Sequence, residues 1–197
     1  MARPSSNAPE RLLDAAEAVI LRSGVASLTL DAVAAEAGMS KGGLLYHLPT
    51  KEKLIEALLL RCAEQLKAGI QCARDRLPEG PGRLTRGPVE QLSDKEIWSE
   101  SMRGTSLAIV TALAATPDLI QPLREVYTGL YEELQQDGLP PGVAEALVAA
   151  TDGLWLMWLL GLVPVNAAFI AKTQSALRSM LEQVLADSGA AAPPDKN

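Results

Sequence analysis

In the stretch LTLDAVAAEAGMSKGGLLYHLPTKEKLI, residues 28–55, helix starts and helix stops alternate so closely that only short helices fit between them. Thr29 caps a helix over 30–37 that buries Leu30, Val33 and Ala34, and Gly38 ends it. Ser40 caps a second helix over 41–48, which Pro49 and Thr50 break; Thr50 then caps a long helix running through Arg76. Two short helices joined by so tight a glycine turn form a helix-turn-helix. Ahead of them, Asn7 can cap a first helix while Glu10 reaches back and Pro9 occupies the first turn. Leu13, Ala16, Val19 and Ile20 line one face of that helix until Gly24 stops it.

Beyond Arg76 the segment LPEGPGRLTRGPVEQLSD is expected to be a loop, with at most a short helix around 84–92 disturbed by Pro88. Periodic helices then resume over 95–115, 117–136, 142–162 and 166–186. The chain is 48% hydrophobic and only 4% aromatic, with abundant Ala and Leu and few β-branched runs, a mixture that favours helix over strand. The expected fold is all-α: a three-helix head over 1–53, a helical body over 54–189 and a disordered tail over 190–197.

A net charge of −6 does not suggest a polyanion binder, but the charge is unevenly spread. Residues 1–53 hold six basic and six acidic side chains, so the body carries the whole net charge and the head is free to present a local positive face. Cys62 and Cys72 lie ten residues apart on one expected helix, about 15 Å along its axis, too far for a disulfide. With one histidine they cannot complete a zinc site, so no metal is expected, and reduced cysteines suit the cytoplasm. The N-terminus has no apolar core of a secretory signal. Residues 153–171 lack charge, yet Pro164 and Asn166 interrupt them and the greasy run 154–163 is about half of a bilayer span. No membrane partner is expected.

The stretch MSKGGLLYHLPTKEKL, residues 39–54, holds the only histidine beside two glycines, a tyrosine and three lysines. It lacks the spacing and the preceding strand of a nucleotide phosphate loop. His47 has no nucleophile or orienting acid nearby in sequence, so no catalytic residue is assigned. A DNA contact accounts for more of these residues together. Gly42 and Gly43 in a first helical turn cost about 1 kcal/mol each relative to Ala, which makes sense where the helix end must approach another surface closely. Tyr46 and His47 bring OH and N–H donors, Lys41 and Lys51 bring charge, and Leu44 and Leu48 face the core. The second short helix is then the one that enters DNA.

The same stretch, 28–55, resembles the DNA-binding domain of the TetR (tetracycline repressor) family. The likeness lies in a Thr-capped helix with an Ala-Ala centre, Ala-Gly-x-Ser at the turn, Lys-Gly, a Tyr-His pair and Lys-x-x-Leu opening the next helix. It implies that Lys41, Gly42, Gly43 and Leu45 take base-edge positions, and that Thr29, Ser40, Tyr46, His47 and Lys51 contact the DNA backbone. Leu45 stands where many members carry an aromatic, Leu48 where Phe is common, and Gly43 removes a side chain that often reads bases. Base readout should therefore lean on Lys41, on Leu45 against thymine methyls and on DNA shape.

The resemblance further implies a homodimer through the last two helices and a small-molecule effector site among the central ones. In the last helix Ile170, Thr173, Leu177, Met180 and Val184 form an apolar stripe suited to a neighbouring helix, either in a four-helix dimer interface or in the chain's own core. For the effector, Trp98, Met102, Thr105 and Ile109 share one helix face, Tyr127 and Tyr131 another, and Asp152, Trp155 and Trp158 a third. Aromatics and Met with a few polar groups suit an apolar, planar ligand, although ordinary core packing uses the same residues. Asp152 within a greasy helix must cap, pair with a cation or meet a cationic ligand. The expected function is a ligand-responsive DNA-binding regulator, most simply a repressor released from a double-stranded, pseudo-palindromic operator by its effector, with no cofactor. A helical protein adaptor and a substrate-enclosing enzyme are the alternatives; the second would need a reactive residue pair that the sequence does not supply.

Overall fold

The computed structural model describes residues 7–24, 27–115 and 117–190, and among these every regular element is helical. The elements are α1 (Ala8–Ser23), α2 (Leu30–Glu36), α3 (Lys41–His47), α4 (Lys51–Asp75), α5 (Arg83–Gln91), α6 (Glu100–Ala115), a 3₁₀ turn (Pro117–Ile120), α7 (Gln121–Leu134), α8 (Val143–Leu159) and α9 (Ala167–Ala190). They fall into two compact units: residues 1–64 with 99–124, and residues 65–98 with 125–197. Of the tail expected over 190–197, Ala190 instead closes α9, and residues 191–197 lie outside the described residues, as does Thr116.

In the first unit α1 buries Leu13, Ala16, Val19 and Ile20 as its periodicity requires, and Leu12 and Ala15 as well. The stripe is wider because α1 packs on both α2 and α6. Gly104 lies close beneath Leu21, whose flexible Cδ2 a Cβ there would approach to 2.6 Å. Asn7 sits at the head of α1 in extended backbone, but its side chain makes no capping hydrogen bond. Glu10 does not reach back either; it turns with Asp14 and Glu17 toward Arg61 of α4. One nearly buried guanidinium thus gathers three carboxylates spaced along one face of α1 and ties that helix to α4. Val33, Leu44 and Leu54 are fully buried in the core that joins α1 to α4, and Leu30 packs at its edge.

The second unit contains the main departure from the sequence reading. The segment expected to be a loop holds a nine-residue helix, α5, with Pro88 inside it. Its ends are held by residues far away in sequence. Asp137 accepts hydrogen bonds from the Leu84 and Thr85 backbone N–H groups at 2.9 and 2.8 Å and from the Thr85 hydroxyl at 2.6 Å. At the other end the buried Gln174 amide donates to the Val89 and Glu90 carbonyls at 2.9 and 3.1 Å, while Arg178 pairs with Glu90. Gly87 lets α5 lie close to α4, where a Cβ would meet Ala73 Cβ at 3.2 Å. These anchors replace the hydrogen bond that Pro88 cannot donate.

Other boundaries move modestly. Residues 95–98 form turns rather than the start of α6, the 3₁₀ turn precedes α7, α8 stops at Leu159, and α9 passes through Gly189. The α9 stripe is split. Leu177 is buried in a core shared with Val89, Leu92, Leu147, Leu154 and Leu181, and Ile170 packs against the same core. Met180 is 57% exposed on the opposite side of the stripe. Among the described residues no helix is long and apolar enough to cross a membrane. Removing the distant cap should be costly: Asp137→Ala leaves two backbone N–H groups and the buried Thr85 hydroxyl without their acceptor, and urea denaturation should show a loss of about 2–3 kcal/mol.

Candidate nucleic-acid interface and ligand site

Three helix starts in the head are capped by the hydroxyls expected from the sequence. Thr29 accepts from the Ala32 N–H at 3.1 Å, Ser40 from the Gly43 N–H at 3.1 Å and Thr50 from the Lys53 N–H at 3.2 Å. The Glu52 carboxyl beside Thr50 is held below its usual range by its own backbone N–H and by the Thr50 hydroxyl. These caps fix where α2, α3 and α4 begin.

On α3, Leu44 is fully buried while Lys41, Gly42, Leu45 and His47 are exposed and Tyr46 is 85% exposed. The Tyr46 and His47 rings meet edge to face, 5.0 Å between centroids and 83° between planes. Lys51 is half-buried at the start of α4. The two glycines differ. A Cβ on Gly42 would meet nothing within 4 Å, so the molecule's own packing imposes no limit there. A Cβ on Gly43 would sit 3.3 Å from the Ser40 hydroxyl oxygen, so this glycine also makes room for the cap. The sequence reading missed one partner: Lys41 Nζ is paired with Asp31 in the first turn of α2, 2.9 Å from one carboxylate oxygen and 3.1 Å from the other.

In the second unit, α7 and α8 bring Tyr127, Tyr131 and Asp152 together, as the sequence suggested, and add Glu145. Burial pushes the Asp152 carboxyl above its ordinary value, and a hydrogen bond from the Tyr127 hydroxyl partly opposes that shift. The Tyr131 phenol is also raised, by burial and then by the negative charges of Asp152 and Glu145. Among the described residues no Lys or Arg pairs with Asp152. The half-buried Trp155 lies one helical turn further along α8.

Trp98 and Trp158 serve the core. They stack edge to face at 5.4 Å, and Trp98 Nε1 donates to the Leu92 carbonyl at 2.8 Å. Met102 and Thr105 lie on α6 in the first unit, Met102 exposed and Thr105 half-buried. An open cleft of about 450 Å³ lies elsewhere, lined by Arg74, Glu79, Arg83, Glu133 and Asp137. Its arginines already hold carboxylates, Arg74 with Glu133 at 2.9 Å and Arg83 with Glu79 at 2.6 Å, so it offers no unmatched charge to a ligand.

Residues 12–58 match the family model described as bacterial regulatory proteins, tetR family, and residues 82–182 match the tetracyclin repressor-like C-terminal domain. The chain is 27% identical to the HTH-type transcriptional regulator EthR of Mycolicibacterium smegmatis (strain ATCC 700084 / mc(2)155), over 85% of this chain and 93% of that protein. It is 30% identical to the HTH-type transcriptional regulator BetI of Serratia proteamaculans (strain 568), over 75% and 78% of the two chains. Among solved structures it is similar to the multidrug binding protein EbrR. With malachite green bound, that protein is 28% identical, with 86% of this chain and 96% of that chain covered and a TM-score of 0.62. With ethidium bound the values are 26% identity, 87% and 98% coverage and a TM-score of 0.62. These relatives regulate transcription or bind drugs, which sets the enzyme alternative aside. A capped helix-turn-helix with a bare outer face, joined to a helical body matching the C-terminal model, places the chain in the TetR family of DNA-binding transcriptional regulators.

Proposed function

We propose that the chain is a repressor that binds a pseudo-palindromic operator as a homodimer and is released by a small, largely apolar cation. In this reading DNA contact belongs to residues 1–53, and effector binding and dimerisation to residues 54–189. Lys41, Gly42, Gly43 and Leu45 face base edges, while Thr29, Ser40, Tyr46, His47 and Lys51 face the sugar–phosphate backbone. The supporting observation is the division of α3, whose one buried side chain is Leu44 and whose other face is open. Two such helices one turn of DNA apart, about 34–36 Å, would read the two half-sites. An effector that fits a form with a different spacing draws the population off DNA by its differential affinity. Two free cysteines suit a reducing cytoplasm.

The dimer would use the outward part of the α9 stripe, Thr173, Met180 and Val184, with the exposed Leu156 of α8, Leu160 just after it and Phe169 of α9. Ile170 and Leu177, first grouped with that stripe, serve the subunit's own core instead.

The effector reading rests on Asp152, a half-buried carboxylate with a tyrosine donor and no cationic partner among the described residues. A cationic ligand would supply the missing charge and reverse the cost of burial. Tyr127, Tyr131 and Trp155 would hold its apolar body. EbrR, crystallised with malachite green and with ethidium, binds two aromatic cations of this class. Trp98 and Trp158, stacked on each other in the same unit, complete the candidate set.

Three measurements test this reading. Tyr46→Ala and Lys51→Ala should each weaken binding to every duplex, and Lys51→Ala should lower the salt slope by about one; unchanged affinity in gel shifts would reject their phosphate role. Ethidium or malachite green should quench tryptophan fluorescence saturably and release DNA, and Asp152→Asn should abolish both effects. The same variant reports on folding. A carboxyl whose folded pKa is raised adds stability below its unfolded value of about 3.8 and loses it as pH rises through the folded value. Asp152→Asn should therefore unfold at higher urea than wild type at pH 7, and the gap should close as pH falls toward 4.

A further inference from the structure

We propose that Asp31 and Lys41 act as one unit that reads a G·C base pair in each half-site, with Asp31 as a specificity-determining residue. This inference rests on the DNA-facing role of α3 and extends it to a side chain of α2. The Lys41 ammonium lies within hydrogen-bond distance of both Asp31 carboxylate oxygens, at 2.9 and 3.1 Å. Both side chains are well exposed. An ion pair so open to solvent adds little to folding, and a carboxylate on a face that meets phosphates works against association. Its position is better explained by recognition than by stability.

The chemistry of the pair matches one base-pair edge. A lysine ammonium has three donors and no acceptor. With one proton on Asp31, two remain, and guanine offers two adjacent acceptors in the major groove, N7 and O6. Asp31 retains acceptor capacity, and cytosine offers its N4 amino donor beside guanine O6. O6 and N4 are hydrogen-bonded to each other, so they stand about 2.9 Å apart, the same spacing as Lys41 Nζ and the nearer Asp31 oxygen. Against an A·T pair, thymine O4 takes one lysine proton and the last one faces a methyl group. Gly42 and Gly43 follow with no side-chain atoms of their own. Without Asp31, the lysine on its flexible stem is free to neutralise any nearby phosphate.

The test is selection from a random-sequence duplex pool by the full-length chain, its Asp31→Ala variant, Lys41→Ala and the double variant. Wild type should enrich a palindrome with guanine at one fixed position per half-site. D31A should relax that position by about tenfold, bind random duplex more tightly and steepen the salt slope by about one. Lys41→Ala should relax the same position, with no further change on adding D31A. Thermal melting of each variant should match wild type, since the pair is exposed. An enriched site whose preferences survive D31A overturns this inference and leaves the DNA-facing role of α3 standing, as does a relaxed position that proves to be A·T. A wild-type chain that enriches no sequence overturns both.

Discussion

The burial of Leu44 is the constraint on which the recognition surface depends. A seven-residue helix is far below the length that holds itself together in water, and two of the residues in α3 are glycines. Those glycines cost about 2 kcal/mol together, and fully burying one leucine returns about the same. The Ser40 cap adds about 1 kcal/mol. Held by one side chain and one cap, the helix keeps its remaining positions free for another molecule. Leu48, also buried, closes the segment against the same core.

The body of the chain is governed by a different economy of polar groups. The short helix α5 survives an internal proline because each end is tied to a group from another helix or loop, Asp137 at its start and Gln174 at its end. Two of the charged groups on it also have partners, Glu90 with Arg178 and Arg83 with Glu79. Against that background Asp152 stands apart. It is half-buried, accepts from a tyrosine and meets no cation among the described residues. Burial and hydrogen bonding act on it in opposite directions, and burial is the stronger.

Much of the head was legible along the chain. Thr29, Ser40 and Thr50 are caps in the sequence and caps in the fold, and Gly24 and Gly38 end helices where they were expected to. The failures there have physical causes. Asn7 makes no capping hydrogen bond, and the Glu10 side chain expected to reach back to it is drawn to Arg61, fifty-one positions away. The residues proposed to face DNA could be listed, but the Asp31 partner of Lys41 could not, because ten residues separate them across a turn. The candidate ligand site was half legible: Tyr127, Tyr131 and Asp152 do meet, whereas Trp98 and Trp158 meet each other. A tryptophan suited to a ligand and one suited to a core have the same periodicity.

Helix starts, stops and buried faces follow from neighbours within one or two turns, so the sequence alone determined the all-α class, the helix-turn-helix and the family likeness. Tertiary structure decided what lies on the far side of each face. It drew α5 out of a proline-rich segment through Asp137, divided the α9 stripe between Leu177 inside and Met180 outside, and set Asp31 against Lys41. Each of these depends on a meeting of groups distant in the chain, and periodicity records only that a face will be covered, never by what.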